Sequence, residues 1–242
     1  MKKFKRIRKL KDYRIHREGT EILILGFLVL VSAGFLLWYY LPGLFVLDVV
    51  LSAVFVVTYL LMVNFFRSPK RIFPGDVENV VVAPADGKVV VIEKVFEPDH
   101  FKDERMQISI FMSPTNVHAN WYPIEGKILV SEHQKGNHKG AWLPKSSTEN
   151  ERSLVVIETA SKVQIAIRQI AGAMARRIVT YAKPGHQAHR NTHLGFIKLG
   201  SRVDMYLPLN TEMFVQVGEH VRGNETIIGR LQNDPTINTN IE

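Results

Sequence analysis

The chain has 242 residues, enough for one domain of ordinary size and an appendage, and its formal net charge is +8. Nine basic residues and two acids lie within residues 1–20, so residues 21–242 are nearly neutral and leave no broad basic face for nucleic acid. The absence of cysteine excludes disulfides, thiol nucleophiles and zinc–thiolate sites.

After the basic tail of residues 1–20, residues 21–66 predict a transmembrane helical hairpin. Asp48 is the only charged residue between positions 22 and 66, and Pro42 and Gly43 divide the apolar run into two halves. Each half is long enough to cross a membrane as a helix, whereas a cleaved signal peptide has a shorter apolar core. Because Asp48 follows the turn closely, we expect it near the membrane interface rather than at an intramembrane functional site.

The charges that flank the hairpin predict its orientation. The tail of residues 1–20 precedes it, and Arg67, Lys70 and Arg71 follow it. Positive residues favour the cytoplasmic side, and a hairpin places both flanks on the same side. We therefore expect residues 67–242 on the cytoplasmic side of the cell membrane.

Residues 67–242 predict one mainly β domain, because short segments rich in Val and Ile alternate with Gly, Pro and Asn. The predicted strands are 79–83, 88–93, 107–112, 127–130, 154–159, 163–170, 178–182 and 213–217. A helix is predicted over 170–176 and a polar loop over 133–150. The spacing of Gly185 to Gly195 is echoed by that of Gly218 to Gly229. These pairs are similar to the turns of lipoyl/biotinyl-like barrel-sandwich domains, although no carrier lysine is evident.

Three segments of this domain carry candidate chemistry. Asp86 lies in a turn, His118 lies in a polar loop, and Ser201 follows Gly200. Each alone is ordinary, since a turn Asp, a single His and a Gly-Ser pair are usually structural. Together they are the residue types that activate a hydroxyl, and glycine leaves its own carbonyl unshielded by a side chain.

Six ordered motifs make the chain resemble phosphatidylserine decarboxylase proenzymes, in particular their short bacterial and archaeal form. The motifs are FRSP at 66–69, APADG at 83–87, FMSP at 111–114 with VH at 117–118, NER at 150–152, IAG at 170–172 with ARR at 175–177, and LGSRVD at 199–204.

The resemblance implies a membrane-bound, pyruvoyl-dependent carboxy-lyase of phospholipid biosynthesis. Ser201 would attack the carbonyl of Gly200, with His118 as base and Asp86 orienting His118. The zymogen would cut itself into a beta chain of residues 1–200 and an alpha chain of residues 201–242, which stay together as a heterodimer. Ser201 would become the covalent pyruvoyl cofactor, with no metal. Phosphatidylserine would form a Schiff base on it and lose carbon dioxide, with His118 as proton donor, to give phosphatidylethanolamine.

Two features depart from the longer members of that family. Trp121 stands where they have a second histidine, so His118 would serve both maturation and decarboxylation. Arg202, Val203 and Asp204 replace small hydroxyl residues, which leaves the acyl or ether lipid preference open.

Two other functions fit parts of the sequence. A membrane-tethered lipoyl-like binding module would explain the hairpin and the β domain, but it leaves Asp86, His118 and the Gly200–Ser201 pair unexplained. A pyruvoyl decarboxylase for a soluble amino acid would explain the three chemical segments, but such a substrate gives no reason for a membrane anchor.

Overall fold

The computed structural model describes residues 14–40, 43, 45–74, 78–136, 150–172, 177–198 and 201–232. The chain forms two compact units, divided between Lys70 and Arg71. The first unit is helical and the second is built from β-strands.

The helical unit contains α1 (Arg17–Tyr40) and α2 (Phe45–Phe65), which are both long and apolar enough to cross a membrane. The two helices lie side by side, with the rings of Phe27 and Tyr59 6.0 Å apart. Close packing is possible at Gly19, where a β-carbon would lie 2.3 Å from the ring of Phe66. Asp48 lies in the first turn of α2, where the helix dipole favours a carboxylate. The two predicted apolar helices are confirmed.

Within its described residues the second unit has fourteen strands, and every strand pairing is antiparallel. The strands are β1 (Val80–Val82), β2 (Gly87–Glu97), β3 (Asp103–Met112), β4 (Ala119–Trp121), β5 (Gly126–Gln134), β6 (Arg152–Glu158), β7 (Gln164–Ala171), β8 (Ile178–Thr180), β9 (Gln187–Ala188), β10 (His193–Ile197), β11 (Ser201–Leu207), β12 (Glu212–Met213), β13 (His220–Val221) and β14 (Ile227–Arg230). The mainly β prediction is confirmed.

The strands form a curled eight-stranded sheet and two three-stranded sheets around one apolar core. The large sheet has the order β13-β2-β3-β11-β7-β6-β5-β9, and the small sheets are β1-β14-β12 and β4-β10-β8. Side chains from all three sheets meet in the core, among them Ile110, Ile157, Leu194, Val203 and Ile228. The large sheet places β11 at its centre, between β3 and β7.

The strand order of the large sheet has a two-fold repeat about the boundary between β11 and β7. On one side β3 is followed outward by β2 and β13, and on the other β6 is followed by β5 and β9. The edge turns match as well: the amide of Gly218 donates to Val89 O, and that of Gly185 donates to Ile128 O, both at 2.8 Å. Both glycines have positive φ, 97° and 85°, which explains why glycine is required at these turns.

The outer face of the large sheet carries buried charges that are paired. Arg168 contacts Glu97 at 2.8 Å and the hydroxyl of Tyr206 at 2.6 Å. Burial acts to raise the pKa of Glu97, but backbone amides of residues 99–101 and the charge of Arg168 hold it below its ordinary value. Burial, with the negative charge of Asp204, raises the pKa of the Tyr206 phenol. These pairs allow β7 and β11 to be buried on both faces.

Three local predictions differ from the structure. Of the predicted strand 213–217 only Met213 lies in a strand, β12, because the chain then leaves the sheet and turns at residues 217 and 218. Ile170 and Ala171 end β7 instead of starting a helix, because strand pairing with β6 and β11 overrides the helical preference of this segment. The rest of the predicted helix falls largely outside the described residues. The predicted loop at 133–150 begins later than expected, since β5 extends to Gln134, and residues 137–149 lie outside the described residues.

Candidate active site

Ser201 is the first residue of β11 and is fully buried. Its neighbours across the sheet are Met112, at the end of β3, and Ala171, at the end of β7. The hydroxyl of Ser201 donates to the sulfur of Met112 at 3.2 Å. The predicted nucleophile therefore lies in the dry interior of the domain, at one end of its central strand.

His118 immediately precedes β4 and is also fully buried. Its ring Nδ1 lies 3.0 Å from the backbone carbonyl oxygen of Asn116. Because a carbonyl can only accept, Nδ1 carries the hydrogen, and in the neutral ring Nε2 holds the lone pair. This is the form of imidazole that can take a proton at Nε2.

Two contacts bring the His118 segment next to the start of β11. The backbone oxygen of His118 accepts from the amide of Ile197 at 3.3 Å, only four residues before Ser201. The side-chain nitrogen of Asn120 lies 3.7 Å from the sulfur of Met112, which the hydroxyl of Ser201 also contacts. His118 and Ser201 are therefore at the same end of the central strand.

Asp86 lies in the turn between β1 and β2, and its carboxylate is held by two partners. The guanidinium of Arg71 donates to both of its oxygens, at 2.8 Å for Oδ2, and the amide of Gly223 donates to Oδ1 at 2.8 Å. The same turn reaches the His118 segment through its backbone, since the amide of Trp121 donates to Pro84 O at 2.8 Å. The role of Asp86 in orienting His118 stays a prediction.

Trp121, at the position where longer proteins of the resembling family have a histidine, packs against this ion pair. Its ring centroid lies 4.9 Å from the guanidinium carbon of Arg71, within the range of a cation–π contact. A β-carbon on Gly223 would come within 2.6 Å of the ring. Trp121 therefore fixes Arg71, and through it Asp86, by packing.

The residues after Ser201 alternate between the two faces of the large sheet. Val203 and Met205 point into the core. Arg202 and Asp204 form a buried ion pair, with Nε and Oδ1 2.8 Å apart. These two charged residues thus contribute to the sheet rather than to the core around the hydroxyl of Ser201.

Sequence reasoning did not identify several residues of this region, chiefly Arg71, Met112 and Asn120. Their contacts join positions that are distant along the chain, such as Arg71 with Gly223, and nothing in the local pattern indicates them. Gly200, the predicted source of the scissile carbonyl, lies outside the described residues. Among the residues that the structure describes, no group of three or more His, Asp or Glu is placed to hold a metal ion.

The fold and site define a mainly β domain with a buried serine and histidine beside its central strand, preceded by two apolar helices. The family model for phosphatidylserine decarboxylase matches residues 58–229, which include Asp86, His118 and Ser201. The chain belongs to the phosphatidylserine decarboxylase family.

Curated relatives match nearly the whole chain, and each is named a phosphatidylserine decarboxylase proenzyme. The protein from Bacteroides fragilis is 55% identical over 227 residues, which cover 94% of this chain and 99% of the relative. The protein from Bacteroides thetaiotaomicron is 56% identical over the same shares. The protein from Porphyromonas gingivalis is 46% identical over 219 residues, which cover 90% of this chain and 99% of the relative. The resemblance found in the sequence is confirmed.

The internal repeat supplies a matched pair of variants that tests how Asp86 is held. Glu125 occupies the corresponding turn before β5, and its Oε1 accepts the amide of Arg190 at 3.0 Å, as Asp86 accepts that of Gly223. The side chain of Glu125 is 43% exposed, whereas that of Asp86 is 11% exposed. The two carboxylates thus make the same backbone contact at very different depths.

We expect Asp86→Asn to lower the free energy of unfolding by about 3 kcal/mol, since it leaves a buried guanidinium without its full partner. Glu125→Gln should cost less than about 1 kcal/mol, because its contact with the buried Arg190 is long, at 3.6 Å, and water screens the exposed carboxylate. Thermal and denaturant unfolding of the full chain in detergent would measure both. Equal losses at the two positions would contradict a special role for the Arg71–Asp86 pair.

Proposed function

We propose that this chain is a pyruvoyl-dependent carboxy-lyase that converts phosphatidylserine to phosphatidylethanolamine. The observation that carries the proposal is the family match over residues 58–229, within which Ser201 and His118 lie buried at the same end of β11. The activity named for the curated relatives, which align over nearly their full length, supports the same substrate.

We further propose that the chain cuts itself between Gly200 and Ser201 and that residue 201 becomes the pyruvoyl group. The surroundings of residue 201 fit such a group: it is fully buried between Met112 and Ala171, where bulk water is excluded and a reactive ketone is protected. The group would supply an electron sink for the loss of carbon dioxide. The residues of the chain would supply burial, orientation and proton transfer.

His118 is the proposed carrier of protons in both stages. With Nδ1 committed to the carbonyl of Asn116, the basic atom is Nε2, which could accept the proton of the Ser201 hydroxyl during maturation. The same nitrogen, once protonated, could return a proton to the substrate carbon after carbon dioxide leaves. Asp86 is proposed to support His118 by holding the turn whose Pro84 carbonyl binds the amide of Trp121.

The strand pairing supports a stable heterodimer of residues 1–200 and 201–242 after the cut. β11 belongs to the short chain and pairs along its length with β3 and β7 of the long chain. β13 and β14 of the short chain also pair with β2 and β1 of the long chain. Separation would break the centre of the large sheet, so we expect the two products to remain together.

We also propose that the domain is a lipoyl/biotinyl-like barrel-sandwich without a carrier function. The two-fold repeat of strands and the matched positive-φ glycines at positions 185 and 218 support this fold. For location, we propose attachment to the cell membrane through α1 and α2, with the catalytic domain on the cytoplasmic side, as the basic flanks favour.

We expect Ser201→Ala to yield one uncut chain that releases no carbon dioxide from phosphatidylserine in detergent, because no hydroxyl remains to start the acyl shift. Ser109→Ala is a matched control, since Ser109 is also fully buried and lies opposite Asp204 on β11. It should cut normally. Intact mass and gel analysis would report the cut, and a cleaved Ser201→Ala chain would remove this residue from the mechanism.

His118→Ala should slow self-cleavage by roughly 10²–10⁴-fold, the usual cost of losing a general base. His220→Ala is the control, because His220 is exposed on β13 at the edge of the large sheet. Matured His118→Ala should also turn over poorly, because the substrate carbon loses its proton donor. Near-normal release of carbon dioxide by that matured variant would contradict the single-histidine scheme and favour another histidine, such as His133 or His138, which lies outside the described residues.

For the membrane topology, a reporter enzyme fused after Glu242 should read as cytoplasmic. A second fusion at Gly43, in the turn between the two helices, should read as exported. The reason is that two spans with basic residues at both outer ends return the chain to the side from which it started. An exported reporter at Glu242 would rule out this orientation.

A further inference from the structure

A chain of three buried polar side chains leads from β6 to the neighbourhood of Ser201. The hydroxyl of Ser153 donates to Oε1 of Gln169 at 2.8 Å, and Nε2 of Gln169 donates to Oδ1 of Asn120 at 2.7 Å. All three residues are fully buried. In the structure the Gln169 amide presents its oxygen to Ser153 and its nitrogen to Asn120, and the nitrogen of Asn120 points away from Gln169 toward Met112.

The side-chain nitrogen of Asn120 has a poor hydrogen-bond acceptor as its partner. It lies 3.7 Å from the sulfur of Met112, and the hydroxyl of Ser201 donates to the same sulfur at 3.2 Å. A thioether is a weak acceptor, and it cannot satisfy a buried amide and a buried hydroxyl as an oxygen would. Burying hydrogen-bond donors with so weak an acceptor lowers stability. The hydrogen-bonded relay of Ser153, Gln169 and Asn120 therefore has a cost that packing alone does not explain.

Close packing shows that this relay is held in place. A β-carbon on Gly195 would lie 2.1 Å from Val179 O and 2.9 Å from Nε2 of Gln169. The backbone of β10 therefore approaches Gln169 directly and leaves its amide little room to turn. The donor of Asn120 is consequently preorganised toward the space that the Met112 sulfur shares with the Ser201 hydroxyl.

During the proposed self-cleavage, a negatively charged oxygen that needs hydrogen-bond donors forms beside the Ser201 hydroxyl. When Oγ of Ser201 bonds to the preceding carbonyl carbon, the carbonyl electron pair moves onto its oxygen, and the hydroxyl proton passes to His118. Breaking the C–N bond, with a proton delivered to nitrogen, then gives the ester. Because the attacked carbon must come within a bond length of Oγ, its charged oxygen develops beside the hydroxyl of Ser201.

We propose that Asn120 is the donor that stabilises this oxygen during maturation, and that Gln169 and Ser153 are positioning residues that aim it. The inference rests on the proposed self-cleavage at Ser201. The sulfur of Met112 holds the donor in the precursor, and its flexible side chain can yield when the better acceptor forms. Removing one preorganised donor to such an oxygen typically slows a reaction by about 10²–10³-fold.

The first test follows the rate of self-cleavage of the full chain in detergent by gel. Asn120→Ala should slow cleavage by about 10²–10³-fold. Gln169→Leu should slow it less, because the donor is present but misaimed, and Gln107→Leu on β3 is its control. Met112→Leu, which removes the sulfur and keeps the volume, should slow cleavage far less than Asn120→Ala. Equal slowing by Met112→Leu would mean that the sulfur, and not Asn120, is the functional contact.

Two further measurements separate a chemical role from a structural one. In the uncut Ser201→Ala background, Asn120→Ala should retain a cooperative thermal transition. In the chain that keeps Ser201, the slow cleavage of Asn120→Ala should have a pH profile of the same shape as that of the unmodified protein. Hydroxylamine, which cleaves an accumulated ester, should not restore the rate, since the ester itself forms slowly. A full rescue by hydroxylamine, or a displaced pH profile, would overturn the assignment.

The controls keep this inference distinct from the function on which it rests. If Ser201→Ala is itself cleaved, the proposed self-cleavage fails. If Ser201→Ala stays uncut while Asn120→Ala matures at the rate of the unmodified protein, only the role of Asn120 fails.

Discussion

The central constraint on this molecule is that β11, which begins at Ser201, is hydrogen-bonded along both edges. It pairs with β3 on one side and β7 on the other, so residue 201 is fixed in the middle of the large sheet. A chemical step at this residue therefore requires the folded sheet first, because only the fold brings the segments of residues 112, 120 and 171 to it. The same pairing would hold the products of the proposed cut together, and it keeps residue 201 away from water.

A central strand buried on both faces must satisfy both of them, and the two faces of β11 do so differently. The inner face places Val203 and Met205 in the apolar core, next to the Ser201 hydroxyl. The outer face carries Arg202 and Asp204 as an ion pair beside the Arg168–Glu97 pair. Buried charges are tolerated only when paired, and here the pairs stabilise the strand that carries the site. At the inner end of the strand, by contrast, the Ser201 hydroxyl donates to the weakly accepting sulfur of Met112.

The two-fold arrangement of the domain also separates structural from chemical roles. Asp86 and Glu125 occupy corresponding turns and accept corresponding backbone amides, so accepting that amide is a structural task shared by both halves. Each carboxylate faces a buried arginine that an aromatic ring covers, but Arg71 binds Asp86 through both oxygens, whereas Arg190 approaches Glu125 only at 3.6 Å. The two turns therefore share one backbone contact, and the deeper burial of Asp86 distinguishes the turn that lies near the site.

The sequence by itself determined the two apolar helices, the long strands other than β11, the family and the three segments that carry candidate chemistry, because these follow from local periodicity and short motifs. It missed β11, although Val203, Met205 and Leu207 alternate with polar residues as in a half-exposed strand, and it missed the short strands β4, β9, β10, β13 and β14. Only the tertiary structure decided that Arg202 and Asp204 are buried as a pair, that Asp86 is held by Arg71, and that Asn120 and Met112 meet Ser201. These contacts join residues far apart in the chain, and their strength depends on burial, which local sequence does not specify.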